Sequence, residues 1–297
     1  MPISGSELVG GLDTVVQGVL LGGLYALFAM GLSLAFGVMR LVNIAHGDLI
    51  VLAAFGGVAL ALGTGWGPYA VFAVVVPAMA AAGYILQRLV LNRALGGDAL
   101  SPLLVTFGLS IIVQNGLLEI FSADPRSLRT AGFETASIRL AGGIAVGWLP
   151  LTVFAAALVV ALGLELAFGR TRLGRAFRAT SDDRLTAELM GMNHRHVYAL
   201  AMAASLGLVG VAGVFLAMRT TVSPSDGPGY LLYAFEAVII GGLGSFWGTW
   251  AGGLILGVVQ AVGFRFDPGW GILAGHLACL TVLLVRPQGL FPRTRGA

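Results

Sequence analysis

Polar side chains set within apolar sequence are the places where this chain can do chemistry. Asn43, His46, Gly47 and Asp48 follow a long apolar run directly, within MRLVNIAHGD at 39–48. Glu236 precedes GGLGSFWG at 241–248, which holds Gly241, Gly242, Gly244 and Ser245. Thr106, Gln114 and Asn115 stand inside a third apolar run. Polar groups in hydrocarbon are costly and face a pathway or another helix. Helices broken at such places turn backbone groups toward a solute near the bilayer midplane. The chemistry expected is hydrogen bonding to a passing solute. All of these residues except Asn115 form the candidate path. A plainer alternative stays open, in which the glycines serve helix packing and the polar groups cap helices or sit at the interface. His46 fits either a pH sensor or a hydrogen-bonded structural group.

No catalytic constellation accompanies them. Ser-His-Asp spacing, HExxH and CxxC are all absent from the sequence, so neither an enzyme nor a metal site is expected. GxxxxGK[ST] is absent too, so this chain does not hydrolyse nucleotide by itself. The single cysteine, Cys279, rules out an intramolecular disulfide.

A different chemistry is expected of Gly169–His196, the longest polar run. It holds Arg170, Arg172, Arg175, Arg178, Arg184 and Arg195, six of seventeen basic residues. A short Arg-rich stretch between apolar segments reads as cytoplasmic. Ser181 can cap a helix start, with Asp182 and Asp183 at its positive dipole end. Arg184 and Glu188 then lie one turn apart, as do Leu185 and Leu189. The expectation is a short amphipathic helix under the membrane, presenting a docking surface. The alternative is a loop that merely fixes orientation.

The elements that position these residues follow from composition. About 57% of residues are hydrophobic and about 10% charged, against roughly a quarter charged in a soluble domain. The chain is therefore read as an all-α polytopic membrane protein, one transmembrane domain over residues 1–297. Every basic residue is Arg, and the small positive balance gives a nucleic-acid reading no support. No removable signal peptide is seen at the N-terminus.

Expected spans are Thr14–Met39, Leu49–Leu62, Tyr69–Leu86, Leu103–Phe121, Leu149–Phe168, Val197–Met218 and Trp270–Val285. Arg219–Leu232 is read as a turn-rich connection and Ser122–Trp148 as an external loop. Tyr233–Phe264 is read as two pieces broken at the glycines. The total is about eight to ten membrane segments, broken or re-entrant helices included. Arg88 and Arg93 mark a second cytoplasmic loop at 88–98, and Arg286, Arg293 and Arg295 a cytoplasmic tail. Both basic loops and the tail share one side only if the broken segment crosses twice, which puts the N-terminus outside. A re-entrant dip would leave the conflict standing.

GLYALFAMGLSLAFGVMRLVNIAHGDLIVLAAF at 23–55 resembles the N-terminal signature of LivH-type permeases of branched-chain amino acid ABC transporters. The resemblance continues through VTFGLSIIVQNG at 105–116 and GRAFRATSDDRLTAELMGMN at 174–193. It extends to AFEAVIIGGLGSFWGTWAGG at 234–253 and RPQGLF at 286–291, and leaves out 122–148. It implies a multi-pass subunit of the bacterial inner membrane. It implies as partners a LivM-type second permease, LivG- and LivF-type ATPases and an extracytoplasmic solute-binding protein. ATP would be bound by the ATPases, so no cofactor is expected on this chain. It places an ATPase contact at 174–193, with Arg175, Arg178, Asp182, Asp183, Arg184, Leu185, Leu189 and Gly191 as candidates. Arg175 and Arg178 would pair with ATPase acids or phospholipid, and Leu185 and Leu189 would fill an ATPase groove. Branched-chain amino acids are the default solute. Urea, short amides and other small amino acids are alternatives, as is a stand-alone secondary transporter. No intramembrane Arg is seen placed to grip a carboxylate.

Overall fold

The first apolar run becomes helix α1, Gly5–Met39, of 35 residues. At 1.5 Å per residue it spans about 50 Å, against a hydrocarbon core of about 30 Å. The computed structural model describes residues 5–95, 100–129, 132, 136–139 and 145–291. α2 (His46–Thr64) ends on Gly65 in the left-handed conformation, and Pro68 opens α3 (Pro68–Leu86) in its first turn. A π-helical turn at Gln87–Leu91 carries α3 into the short α4, Asn92–Ala94. α5 (Leu100–Phe121) leads to an antiparallel hairpin, β1 (Ser137–Arg139) with β2 (Ala145–Gly147). α6 (Trp148–Arg170), α7 (Arg172–Asp182), α8 (Arg184–Leu189) and α9 (His194–Arg219) follow. The chain closes with α10 (Gly227–Gly241), α11 (Phe246–Phe266) and α12 (Trp270–Val285).

Among the described residues, seven helices are long and apolar enough to cross a membrane, taking Pro68–Ala94 as one. α10 and α12 are shorter apolar helices. The chain is a helical, multi-pass membrane protein.

α1 runs through the centre and packs on α11, α9, α6 and α10. Lipid is as apolar as leucine, so close packing rather than water exclusion holds such helices together. The α1–α11 seam is built for that. A Cβ on Gly22 would meet Leu254 Cα at 2.5 Å, and one on Gly257 would strike Gly22 itself. Further along, Thr249 donates a 2.9 Å hydrogen bond to Ser33.

The two ends of the bundle separate cleanly. At one end, Arg40 Nη2 approaches the Ser181 carbonyl at 3.5 Å. There too, Gly37 faces Gly244, and Phe291 donates its N–H to Gly241 O at 3.0 Å. Asn92 donates to Arg195 O at 3.2 Å. At the other end, Gln17 donates to Ala145 O in the hairpin, and Arg126 pairs with Val222. The end of α1, α4, α7, the α10–α11 break and the start of the tail therefore lie together. The start of α1 lies opposite. α10 itself starts deep in the bundle, with Gly227 against Gly47 and Asp48, so the chain from Val222 through α10 joins the two ends, and α11 returns between them. Two passages there agree with what the basic loops and tail require.

Several local expectations need correction. Residues 174–193 form two helices rather than one, and the second is capped by Asp183, not Ser181. Asp183 is extended and its carboxylate takes the Leu185 and Thr186 N–H groups, a local bond that competes with helix continuation. The basic stretch at 88–98 is helical through Ala94, and α10 starts at Gly227 within the expected connection. Arg293 and Arg295 lie outside the described residues.

Candidate functional site

α1 ends at Met39, and Arg40 takes φ +52° to redirect the chain. The segment that follows folds on its own polar groups. Asn43 Oδ1 accepts from Ala45 N at 3.1 Å, and Thr106 Oγ1 on α5 accepts from Ile44 N at 3.2 Å. His46 Nε2 lies 2.8 Å from the Phe28 carbonyl, fully buried. A carbonyl only accepts, so Nε2 carries the proton, and this contact supports the structural reading of His46. Ser110 Oγ donates to Asp48 Oδ2. Asp48 Oδ1 abuts Gly227 at the start of α10, and Gly47 lies against the Gly227 carbonyl. The structure thus joins Asn43, His46, Gly47, Asp48 and Thr106 where α1, α2, α5 and α10 meet. Gln114 is half-buried one turn beyond Ser110. Asn43 Nδ2 and Asp48 Oδ1 are buried without a hydrogen-bond partner among the described residues.

The second group divides. Glu236 is buried on α10 and meets His276 Nδ1 on α12 through Oε1. Gly241, Gly242, Gly244 and Ser245 sit apart, at the break. Gly242 and Gly244 have φ of +107° and +81°, which reverse the chain at little cost only as glycine. Ser245 Oγ accepts from Gly248 N at 3.1 Å and caps α11. Gly241 packs on the Gly248 carbonyl.

Around Glu236 stand groups that the sequence reading passed over. The Tyr25 hydroxyl donates to Gln260 Oε1 at 2.6 Å. Tyr25 and Tyr233 pack as tilted rings with centroids 5.0 Å apart, and Phe28 and Tyr230 with 5.5 Å. One turn of α1, Tyr25–Phe28, therefore touches both polar clusters. Gln260 and His276 are polar residues inside apolar runs, the same signal that marked Thr106 and Gln114. Arg219 ends α9 with Nη1 buried and without a partner among the described residues.

The helix pair at the other candidate surface is firmly seated. Thr171 caps α7 by accepting from Gly174 N at 3.0 Å. Phe177 packs on Phe168 at 5.3 Å, and Phe168 on Phe246 at 4.8 Å. This aromatic chain ties α7 to α6 and to the first turn of α11. Arg175 and Asp182 are exposed and Arg178 is half-buried. Arg184 Nε donates to Glu188 at 3.0 Å, and His194 Nδ1 lies 2.6 Å from the same oxygen. Gly191, at φ +83°, ends the pair. Leu185 is 71% exposed, Leu189 88% and Met190 77%.

Hydrogen bonds from the Thr186 hydroxyl, the Thr186 N–H and the Leu185 N–H hold the Asp183 carboxyl below its usual range. Hydrogen bonding to Arg184 lowers Glu188 likewise. A carboxylate depressed in the folded state contributes above its ordinary value and loses that contribution as pH falls through the lowered one. Asp183→Ala is expected to unravel the first turn of α8 at neutral pH. Faster hydrogen exchange across 184–189, with α7 unchanged, would register it. Unchanged exchange would mean that other contacts hold α8.

A helical bundle with polar clusters buried between crossing helices, and an exposed helix pair wedged onto its end, fits a membrane transport subunit. The chain belongs to the family of permease components of branched-chain amino acid transport systems, which it matches over residues 14–281. It is 30% identical to the high-affinity branched-chain amino acid transport system permease protein BraD of Pseudomonas aeruginosa, over 97% of each chain. It is 26% identical to the corresponding permease protein LivH of Escherichia coli K12, over 95% of this chain and 96% of that one. In fold it is similar to a chain of PsaBC from Streptococcus pneumoniae in complex with Fab, with TM-score 0.50, 15% identity and 94% of both chains covered. Members of the family are transport components, and the chain is not an enzyme.

Proposed function

We propose that the chain is one of two transmembrane halves of an ATP-driven importer of branched-chain amino acids in the bacterial inner membrane. Its whole length serves as one permease domain. The observation that carries this reading is the mechanical continuity between the two candidate surfaces. The α7–α8 pair leaves Leu185, Leu189 and Met190 exposed, yet is fixed to α6 and α11 through Phe177, Phe168 and Phe246. Arg40, which touches α7 at Ser181, opens the segment that leads to Asn43 and Asp48. A partner that moves α7–α8 would therefore move helices bearing the polar clusters, a rigid-body coupling.

The partners assigned are a LivM-type permease, LivG- and LivF-type ATPases that bind the ATP, and an extracytoplasmic solute-binding protein. Arg175, Arg178 and Asp182 would pair with ATPase charges, and Leu185 and Leu189 would enter a groove. Asn43, Asp48, Thr106, Gln114 and Glu236 would line the solute path in alternating access. Gly241, Gly242, Gly244 and Ser245 would supply the bend at its inner end.

The test is uptake by the complete complex in proteoliposomes, with radiolabelled leucine, urea or acetamide, with and without ATP and binding protein. Leucine uptake that needs both ATP and binding protein is expected. Uptake of urea or acetamide alone would move the solute class and keep the mechanism. Uptake driven by an ion gradient without ATP would overturn it.

A further inference from the structure

Two buried polar groups near the middle of α12 are each left half-satisfied, and they are chemically complementary to the two ends of an amino acid. Glu236 on α10 uses Oε1 on His276, while Oε2 is buried with no partner among the described residues. Gln260 on α11 uses Oε1 on the Tyr25 hydroxyl, and that bond leaves Nε2 as the free end. Nε2 is likewise buried and unpartnered among the described residues. Both residues are more than nine-tenths buried, Glu236 at 3% exposure and Gln260 at 1%. A buried polar atom left unpaired costs about 1–3 kcal/mol, more if charged. The two free atoms are of opposite hydrogen-bonding character, one acceptor and one donor, and the side chains that carry them meet neighbouring residues of one helix. Gln260 Nε2 lies against Gly275, at 2.8 Å from the position a Cβ would take there, and Glu236 lies against His276.

The walls suit the same ligand. Tyr25 and Tyr233 pack on each other beside the pair, and buried Leu256 faces Gly275. α12 packs on α11 and α10, and an apolar groove of about 520 Å³ lined by Val262, Phe266, Trp270, Leu273 and Leu277 runs along its seam with α11.

We infer that Glu236 and Gln260 form a zwitterion subsite in the permease. Glu236 Oε2 accepts from the solute ammonium, and Gln260 Nε2 donates to its carboxylate. Tyr25 and His276 are positioning residues that fix which atom of each partner stays free. The inference rests on the importer reading and adds that the permease itself recognises the amino acid backbone, beyond what the binding protein selects.

The test uses the complete permease–ATPase complex without binding protein, in detergent. Radiolabelled leucine is the probe, with 4-methylpentanoate, which lacks the ammonium, and isopentylamine, which lacks the carboxylate, as competitors. Each should compete at least about tenfold more weakly than leucine, as the loss of a hydrogen bond to a charged group implies. Glu236→Gln should abolish discrimination against 4-methylpentanoate only, and Gln260→Met discrimination against isopentylamine only. Misfolding cannot produce that crossed pattern, since each ratio is measured on one preparation. Absence of saturable leucine binding, or both variants keeping the wild-type order, overturns the subsite. Leucine uptake by the same wild-type preparation, reconstituted into proteoliposomes with ATP and binding protein, keeps the two readings separable, because its loss sinks the importer and its presence leaves the subsite to stand or fall alone.

Discussion

Complexes in which Leu185 and Leu189 are both replaced by serine are expected to lose ATPase subunits on purification and to take up leucine at least about 100-fold more slowly. The size follows from burial. Filling an apolar groove with one leucine side chain is worth roughly 1.5–3 kcal/mol, so two are worth roughly 3–6, and each 1.4 kcal/mol is tenfold in affinity. The permease itself should be untouched. Both side chains are mostly exposed, so serine removes no internal contact of consequence. Ala187, the buried residue of α8, and the Arg184–Glu188 pair stay in place. Arg175→Ala should act more mildly, because an exposed charge pair is worth about 0–1 kcal/mol. Pull-down of the ATPases together with uptake decides the matter. Full ATPase retention by the double variant would mean that α7–α8 only fixes orientation.

The reach of sequence reasoning here depends on whether the signal was local. Helix α12 is recovered at Trp270–Val285, because apolar length and the flanking turn residues are local. The break after Gly241 is legible for the same reason, since several glycines in one window oppose a continuous helix. The α7–α8 division was missed because Asp183 and Ser181 both look like caps, and only the backbone shows whose side chain meets the free N–H groups. The partners of buried polar residues were not legible at all. Glu236 meets His276 across forty residues, and Tyr25 meets Gln260 across 235. No spacing rule carries such information. The burial of Arg219 Nη1 was hidden likewise, although the residue itself stood plainly at the end of an apolar run.

Gly47→Ala is the single-residue change expected to do most harm inside the bundle. A methyl there would strike the Gly227 carbonyl and come within 2.7 Å of Leu231 N, both backbone atoms of α10. Backbone cannot rotate away as a side chain tip can, so the cost belongs at the upper end of the roughly 1–3 kcal/mol typical of overpacking. Relief requires α2 to lift from α10. That motion would also part Asp48 from Gly227 and disturb its bond from Ser110, on the opposite face of the same junction. Lowered thermal stability of the complex and at least about a tenfold loss of leucine uptake are expected together. Gly229→Ala is the control. It lies in the same first turn of α10, but a Cβ there meets nothing within 4 Å. Alanine should leave uptake intact and favour the helix by up to about 1 kcal/mol. If Gly229→Ala proved as damaging as Gly47→Ala, α10 would need a flexible first turn, and close contact with α2 would not explain the glycine at 47. If only Gly47→Ala is damaging, the α2–α10 contact is what holds Asp48 in its buried place beside Ser110.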